Sequence, residues 1–281
     1  MSRLTILDIQ AMKTNGEKIT LMTAYDAVSA RLAEAAGIPI LLVGDTLGMV
    51  VQGHTSTIPV TLDHMIYHCQ IVNRVTSRVF IVGDMPFITA TTDAHETLKN
   101  AARLMQEGGA SCVKIEGGEF IAPTIAKIVQ AGIPVMAHIG LTPQSVGQFG
   151  GFKVQGRDLS RARQLLADAR AVQEAGAFAV VLELVPAPLA TLITEQLSIP
   201  TIGIGAGAGC SGQVQVFHDV LGLFDAFIPR HTKRYANLSK VIQDALRQYH
   251  DEVQAGIFPA DANSFTMDEA VIQALRDELA S

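Results

Sequence analysis

Ionisable residues follow short apolar runs at five places in the chain: Val43-Gly44-Asp45-Thr46, Val82-Gly83-Asp84, Val113-Lys114-Ile115-Glu116, Ala137-His138 and Leu182-Glu183. If the runs are parallel strands, the residues at their carboxyl ends gather at one mouth, where α/β folds build their sites. Four carboxylates, one lysine and one imidazole would then converge, and unpaired buried charges are costly. A divalent cation is the simplest compensation for Asp45, Asp84 and Glu116. Hard oxygen donors without a Cys or His pair beside them favour Mg2+ over zinc, and Mg2+ keeps coordination positions for a substrate's oxygens. The competing reading is that some of these carboxylates cap the next helices or pair with Lys114. Glu183 stands among Val181, Leu182, Leu184 and Val185. Apolar surroundings raise a carboxyl pKa, and a Glu tuned towards roughly 6 to 7 is an effective general base at neutral pH. A solvated Glu at a helix start is the alternative.

Weaker candidates stand beside these. His64 and His68 have the i, i+4 spacing of a helical zinc pair, but the Glu of H-E-x-x-H is missing, so they read as ordinary helix histidines. The run Gly203-Ile204-Gly205-Ala206-Gly207-Ala208-Gly209 follows an apolar run. It is a poor dinucleotide fingerprint, because it does not open the first βα unit, and close backbone approach to a ligand is all it licenses. Cys69, Cys112 and Cys210 are widely spaced, with no C-x-x-C pair, and read as small buried hydrophobes in a reducing cytoplasm.

The elements that must position these residues alternate. Candidate strands lie at Ile19 to Thr23, Ile40 to Val43, Val79 to Val82, Cys112 to Ile115, Val135 to His138, Ala179 to Leu182, Thr201 to Ile204 and Ala226 to Pro229. Helical periodicity fills Ala27 to Ala36, Leu62 to Thr76, Ala94 to Glu107, Ile121 to Ala131, Ser160 to Ala175, Pro188 to Leu197 and Leu238 to Ala255. Near-continuous apolar strands between helices imply a parallel sheet covered on both faces. Eight such units in about 240 residues match a (β/α)8 TIM barrel, typically about 250 residues long. The alternative is an open doubly wound sheet; an unbroken composition and an eighth strand able to close the ring favour the barrel. A helix is expected before it, where Thr5 and Asp8 form a capping-box-like pair, and another after it, where Thr266 and Glu269 show T-x-x-E spacing. That divides the chain into one barrel domain over 1–265 and a helical tail over 266–281. The Gly- and Gln-rich stretch from Gly140 to Gly156 is a long connection, expected to act as a lid or substrate-binding loop.

Composition narrows the chemistry. With 48% hydrophobic residues, 17% charged, 21 Lys+Arg against 27 Asp+Glu and 5% aromatics, the chain is globular and lacks the basic face of a nucleic-acid binder. No apolar stretch reaches the ~18 residues of a membrane span, and no signal peptide is evident. Small-molecule chemistry in the cytoplasm is the expectation.

Several longer strings carry a resemblance. Val-Gly-Asp-Thr-Leu-Gly-Met at 43–49, Gly53-His54 with Thr57-Ile58-Pro59-Val60, Val113-Lys114-Ile115-Glu116-Gly117-Gly118, His138-Ile139-Gly140-Leu141-Thr142-Pro143-Gln144, Gly150-Gly151-Phe152-Lys153-Val154-Gln155-Gly156 and Gly203-Ile204-Gly205-Ala206-Gly207 closely resemble the ketopantoate hydroxymethyltransferase family from about Ile19 to Phe265. The resemblance implies a barrel of the phosphoenolpyruvate/pyruvate type. Its implied reaction passes a one-carbon unit from 5,10-methylenetetrahydrofolate, as cosubstrate, to 3-methyl-2-oxobutanoate, giving 2-dehydropantoate for pantothenate and coenzyme A. It implies Mg2+ on Asp45, Asp84 and Glu116, the last directly or through water, and an oxo-acid pocket of Asp45, Thr46, Asp84 and Lys114. His138 would orient substrate or relay a proton, and Glu183 would be the general base that forms a Mg2+-stabilised enolate. Members assemble as decamers. Thr46 replaces a common Ser and keeps the hydroxyl, while Ser211 stands where Asp is common. A Mg2+-dependent 2-oxo acid C–C lyase or mutase on the same barrel is the rival. A barrel retained only as a metabolite-binding or assembly module would have shed some of these carboxylates.

Overall fold

The computed structural model describes residues 2–224 and 228–281, and only the backbone of Phe149. Strands β1 (Ile19–Thr23), β2 (Ile40–Val43), β3 (Phe80–Asp84), β4 (Cys112–Glu116), β5 (Val135–Gly140), β6 (Ala179–Glu183), β7 (Thr201–Ile204) and β8 (Gly212–Gln215) form a closed parallel barrel in sequence order. Around and beyond it lie α1 (Ile6–Thr14), α2 (Ala27–Ala35), α3 (Leu47–Val50), α4 (Leu62–Val75), α5 (Ala94–Gln106), α6 (Ala122–Gln130), α7 (Val146–Phe149), α8 (Leu159–Glu174), α9 (Ala187–Gln196), α10 (Phe217–Val220), α11 (Leu238–Gln254) and α12 (Glu269–Ala280).

Two packed cores arise from the period-2 alternation of side chains along a strand. Leu41, Val43, Ile81, Val113, Ile115, Val135, Ala137, Val180 and Leu182 face outward and pack with the helices. Ile40, Leu42, Phe80, Val82, Cys112, Met136, Ala179, Val181, Ile202 and Val214 fill the barrel interior. Ile9 of α1 joins the interior cluster, so the N-terminal helix plugs the lower end. That helix starts as expected, with a capping box between Thr5 and Asp8.

Two expectations are corrected. The eighth strand is Gly212–Gln215, paired with β7 and β1, and not Ala226 to Pro229. The first residues of that expected strand fall in 225–227, outside the described residues, while Ile228 and Pro229 belong to no strand. β8 comes after β7 without a helix between them. Residues 205–211 must retrace the barrel's height, which a chain extending about 3.3 Å per residue can do. The Gly-rich run is therefore a return connection packed on α9: at Gly207 and Gly209, side-chain atoms would collide with Ala187 and Thr191. The second correction concerns α12, which is capped by Asp268, whose side chain accepts from Ala270 N–H, rather than by Thr266. α11 buries none of its residues, and Val241, Leu246 and Tyr249 are exposed on it. Among the described residues no helix is long and apolar enough to cross a membrane.

Candidate active site

The same alternation that fills the interior with Phe80, Val82 and Cys112 turns Asp84, Lys114, Glu116, His138 and Glu183 into the upper part of the barrel. Strand register then decides who touches whom. Asp84 lies beside Lys114 across β3 and β4, and Glu116 beside His138 across β4 and β5. Lys114 Nζ is accordingly 2.6 Å from Asp84 Oδ1 and 3.7 Å from Glu116 Oε1. His138 is sandwiched between carboxylates, with Nδ1 3.4 Å from Glu116 Oε1 and Nε2 3.2 Å from Glu183 Oε2. Both ring nitrogens and Glu116 Oε1 lie off the hydrogen-bond axis and make no well-directed bond. Glu183 keeps 13% of its side-chain exposure, against 3% for His138, and so remains accessible from the cleft.

Asp45 stands just past β2, and its backbone N–H donates to Asp84 Oδ2 at 3.2 Å. Thr46 is next, its hydroxyl 2.6 Å from the hydroxyl of the fully buried Tyr25. Asp45 and Thr46 line one cleft together with Thr23, Gly44, Pro143, Gln215 and the apolar Leu42, Val181, Ile204 and Val214. The site residues expected from the sequence, Asp45, Thr46, Asp84, Lys114, Glu116, His138 and Glu183, all border it.

Charge in the cleft is unbalanced. Burial, and then the charges of Asp84 and Glu116, push the Asp45 carboxyl well above its usual range. Burial also raises Asp84, with the Lys114 ammonium offsetting only part of the effect. Lys114 is raised: burial works against its charge, but Asp84, Glu116 and Asp45 outweigh it. Glu116 is held low by His138 and Lys114 in spite of burial. For His138 burial and Lys114 oppose protonation, yet Glu116 and Glu183 prevail and raise it to about 9. Four carboxylates thus face one lysine and one histidine. Among the described residues no three His, Cys, Asp or Glu side chains are arranged to hold a metal ion unaided.

Gln144, one turn beyond β5, was not singled out by its type. Its Nε2 donates to Asp45 Oδ2 at 3.0 Å and to the Met85 carbonyl at 2.9 Å, and its backbone N–H donates to Glu116 Oε2 at 3.1 Å. Tyr25 was likewise missed. In the sequence Gln144 shows only as the last residue of the His138 to Gln144 string, with no role attached, and Tyr25 only by its proximity to the end of a strand. The other candidates have structural duties: His64 closes the capping box of α4, and His68 Nδ1 meets the Tyr25 carbonyl at 2.6 Å. Ser211 bonds with Thr201 at the start of β7, far along the strand from the polar mouth. The cysteines are free and buried, and burial pushes the Cys69 thiol up to about 12.

One residue after the Glu183 strand end, Leu184 takes a left-handed backbone with φ 48. A non-glycine residue there costs about 1–2 kcal/mol, and such strain collects at functional sites. Its N–H donates to the Ile204 carbonyl and its carbonyl accepts from Gln155 N–H, both at 2.9 Å, so the turn off β6 is fixed on both sides.

The chain is a closed (β/α)8 barrel whose strand ends carry the ionisable side chains, the layout in which barrel enzymes build their active sites. In fold it is similar to 2,3-dimethylmalate lyase, a PEP mutase/isocitrate lyase superfamily member, with a TM-score of 0.58 at 15% identity over 93% of this chain and 89% of that one. It is similar also to phosphonopyruvate hydrolase in complex with oxalate and Mg2+, with a TM-score of 0.59 at 14% identity over 99% and 97% of the two chains. A family profile described as ketopantoate hydroxymethyltransferase matches residues 3–261, and the chain belongs to that family. It is 60% identical over 272 residues to the 3-methyl-2-oxobutanoate hydroxymethyltransferase of Chloroflexus aurantiacus, covering 97% of this chain and 96% of the relative.

Proposed function

We propose that the barrel mouth transfers a hydroxymethyl group to 3-methyl-2-oxobutanoate, giving 2-dehydropantoate for pantothenate biosynthesis, with 5,10-methylenetetrahydrofolate as the one-carbon donor. Family membership makes the chain a hydroxymethyltransferase. The observation that carries the reading of the site is the convergence of Asp45, Asp84, Lys114, Glu116, His138 and Glu183 on one cleft with more anions than cations.

The donor set fits Mg2+. Asp45 and Asp84 would hold it, with Glu116 as a ligand directly or through water, because hard carboxylate oxygens suit this ion and the buried negative charge demands a cation. Bound there, Mg2+ supplies Lewis-acid polarisation of the substrate's 2-oxo group. Thr46 offers its hydroxyl to the substrate carboxylate, and Lys114 places a positive charge beside the oxygen on which negative charge develops. Glu183 takes the C3 proton, and His138, its Nε2 3.2 Å from Glu183 Oε2, orients substrate or relays that proton. Water adds to the donor's methylene carbon and both of its bonds to folate nitrogens break, each nitrogen taking a proton, which frees the carbon as formaldehyde. The electron pair left at C3 forms the new bond to that carbon, and its oxygen takes up the proton removed from C3 to complete the hydroxymethyl group. The loop over residues 140–156 excludes bulk water during the transfer.

The enzyme acts in the cytoplasm, a location consistent with three free buried cysteines. Its chain divides into a barrel domain over 1–265 and a tail over 266–281. Assembly is a homo-oligomer, a decamer by family resemblance, supported by the exposed Val241, Leu246 and Tyr249 of α11. Product analysis with and without methylenetetrahydrofolate and Mg2+ tests the activity. 2-Dehydropantoate formed only with both is the expected result; cleavage products formed without folate would make the chain a lyase instead.

A further inference from the structure

Gln144 touches the carboxylate cluster at two points and the neighbouring backbone at a third, yet no step of the transfer uses it. An amide NH2 has two N–H donors, and here the Asp45 carboxylate and the Met85 carbonyl take both. The opposite orientation would set the amide oxygen against two acceptors, so the network fixes the orientation. Through its backbone N–H the same residue also holds Glu116 Oε2. One uncharged residue therefore ties the ends of β2, β3 and β4 to the connection that leaves β5.

That connection is anchored at its other end as well. Gln155 N–H donates to the carbonyl of Leu184, the strained residue next to Glu183, at 2.9 Å. Between the anchors lie Gly150 and Gly151, with φ 64 and φ 111, backbone conformations that glycine adopts without penalty. The stretch is a strap running from the candidate metal carboxylates to the candidate base.

We propose that Gln144 is a positioning residue: it fixes Asp45 and Glu116 to receive the cation and couples occupancy of that site to ordering of the strap over residues 145–156. The inference rests on the reading that Asp45, Asp84 and Glu116 hold a divalent ion. Gln144 takes Oδ2 of Asp45, so the carboxylate is held in one orientation before an ion arrives. An ion bound there favours the arrangement in which Gln144 is docked, and a docked strap favours the ion to the same degree, since coupling between two equilibria is reciprocal. Ordering the strap would then accompany loading of the site, and water would be excluded only when the site is charged.

The test uses the full-length assembled protein, stripped with chelator and titrated with Mg2+, and reads ion affinity by calorimetry and amide exchange over 145–156 by mass spectrometry. In the wild-type chain Mg2+ slows exchange in the strap. Gln144→Met keeps the side chain's length and the backbone N–H to Glu116 but removes both amide donors. It is expected to bind Mg2+ about 10- to 100-fold more weakly, the usual effect of removing a group that orients a metal ligand. Even at Mg2+ concentrations raised to equal occupancy, its strap stays unprotected. Gln144→Asn, too short to reach both acceptors, gives the same pattern if the Met variant does not fold. Unchanged affinity in a folded variant, or full strap protection at equal occupancy, overturns the role of Gln144 while leaving the metal site standing. A wild-type strap indifferent to bound Mg2+ overturns the coupling without any variant. A wild-type chain that binds no Mg2+ removes the metal site, and this inference with it.

Discussion

Lys114 Nζ lies 2.6 Å from Asp84 Oδ1, with 5% and 2% of the two side chains exposed. The contact is dictated by register, because the two residues are direct neighbours across β3 and β4. A buried pair of this kind is costly to assemble, and removing one partner strands the other charge. It is a poor device for stability alone. At the mouth of the barrel it fixes an ammonium between Asp84 and Glu116, where the proposed mechanism calls for a positive charge.

Stability and function should oppose one another at Asp45. Its carboxylate is buried beside Asp84 and Glu116, and its one side-chain donor is the neutral Gln144. Asp45→Asn is expected to raise metal-free stability by about 1 kcal/mol, as relief of a functional strain commonly does. On the proposed mechanism the same change is expected to remove Mg2+-dependent binding of the oxo acid. Thermal melts with and without Mg2+ check both halves, and a less stable metal-free variant would contradict the like-charge account.

The Tyr25 hydroxyl, buried and 2.6 Å from that of Thr46, shares a hydrogen bond with it in which either oxygen can donate, and so restricts how the Thr46 hydroxyl turns. Tyr25→Phe removes that contact and little else. Loss of one hydrogen bond is worth about 1 kcal/mol, so KM for the oxo acid is expected to rise about five-fold with kcat nearly unchanged. A fall in kcat at constant KM would place Tyr25 in the chemistry instead.

Acid sensitivity should appear at Glu34 of α2. Its Oε1 accepts backbone N–H bonds from Ser77, Arg78 and Val79 at 2.9, 2.7 and 3.4 Å. Burial works against ionisation there, but the three N–H groups outweigh it and hold the carboxyl below its usual value. A depressed folded pKa contributes stability that is present above the unfolded value, about 4.3, and is lost as pH falls through the folded value. Glu34→Gln should therefore cost about 0.5 kcal/mol at pH 7, a modest figure because the group is partly solvated. Urea unfolding at a series of pH values should show the difference shrinking below pH of about 4. A cost independent of pH would assign the effect to packing.

Much of the site is legible in the sequence. Alternation along Phe80 to Asp84 and Cys112 to Glu116 puts apolar residues below and ionisable ones above on the same interior face, so the cluster results from period and topology. The Thr5 and Asp8 cap was legible for the same reason, since its partners are local. β8 was not: Gly212-Gln-Val-Gln215 has one buried hydrophobe, Val214, and no helix ahead of it to announce a new βα unit. The helix cap at Asp268 was hidden by the T-x-x-E spacing of Thr266 two residues earlier. Gln144 closes the His138 to Gln144 string, yet its role was hidden for a different reason. Its bonds reach Asp45, Met85 and Glu116, which lie 99, 59 and 28 residues away, and only the closed ring brings them together.

Removal of the C3 proton by Glu183 is tested most directly by proton NMR of 3-methyl-2-oxobutanoate in deuterated water, comparing the wild-type chain with Glu183→Gln in the presence and absence of Mg2+. The wild-type protein should exchange the C3 proton for deuterium only when Mg2+ is present. The variant should still bind the oxo acid and the ion, while exchange falls by about 100-fold or more, the usual contribution of a general base. Equal exchange in the two proteins would remove Glu183 from this role, and no exchange in the wild type under any condition would contradict both the substrate and the base.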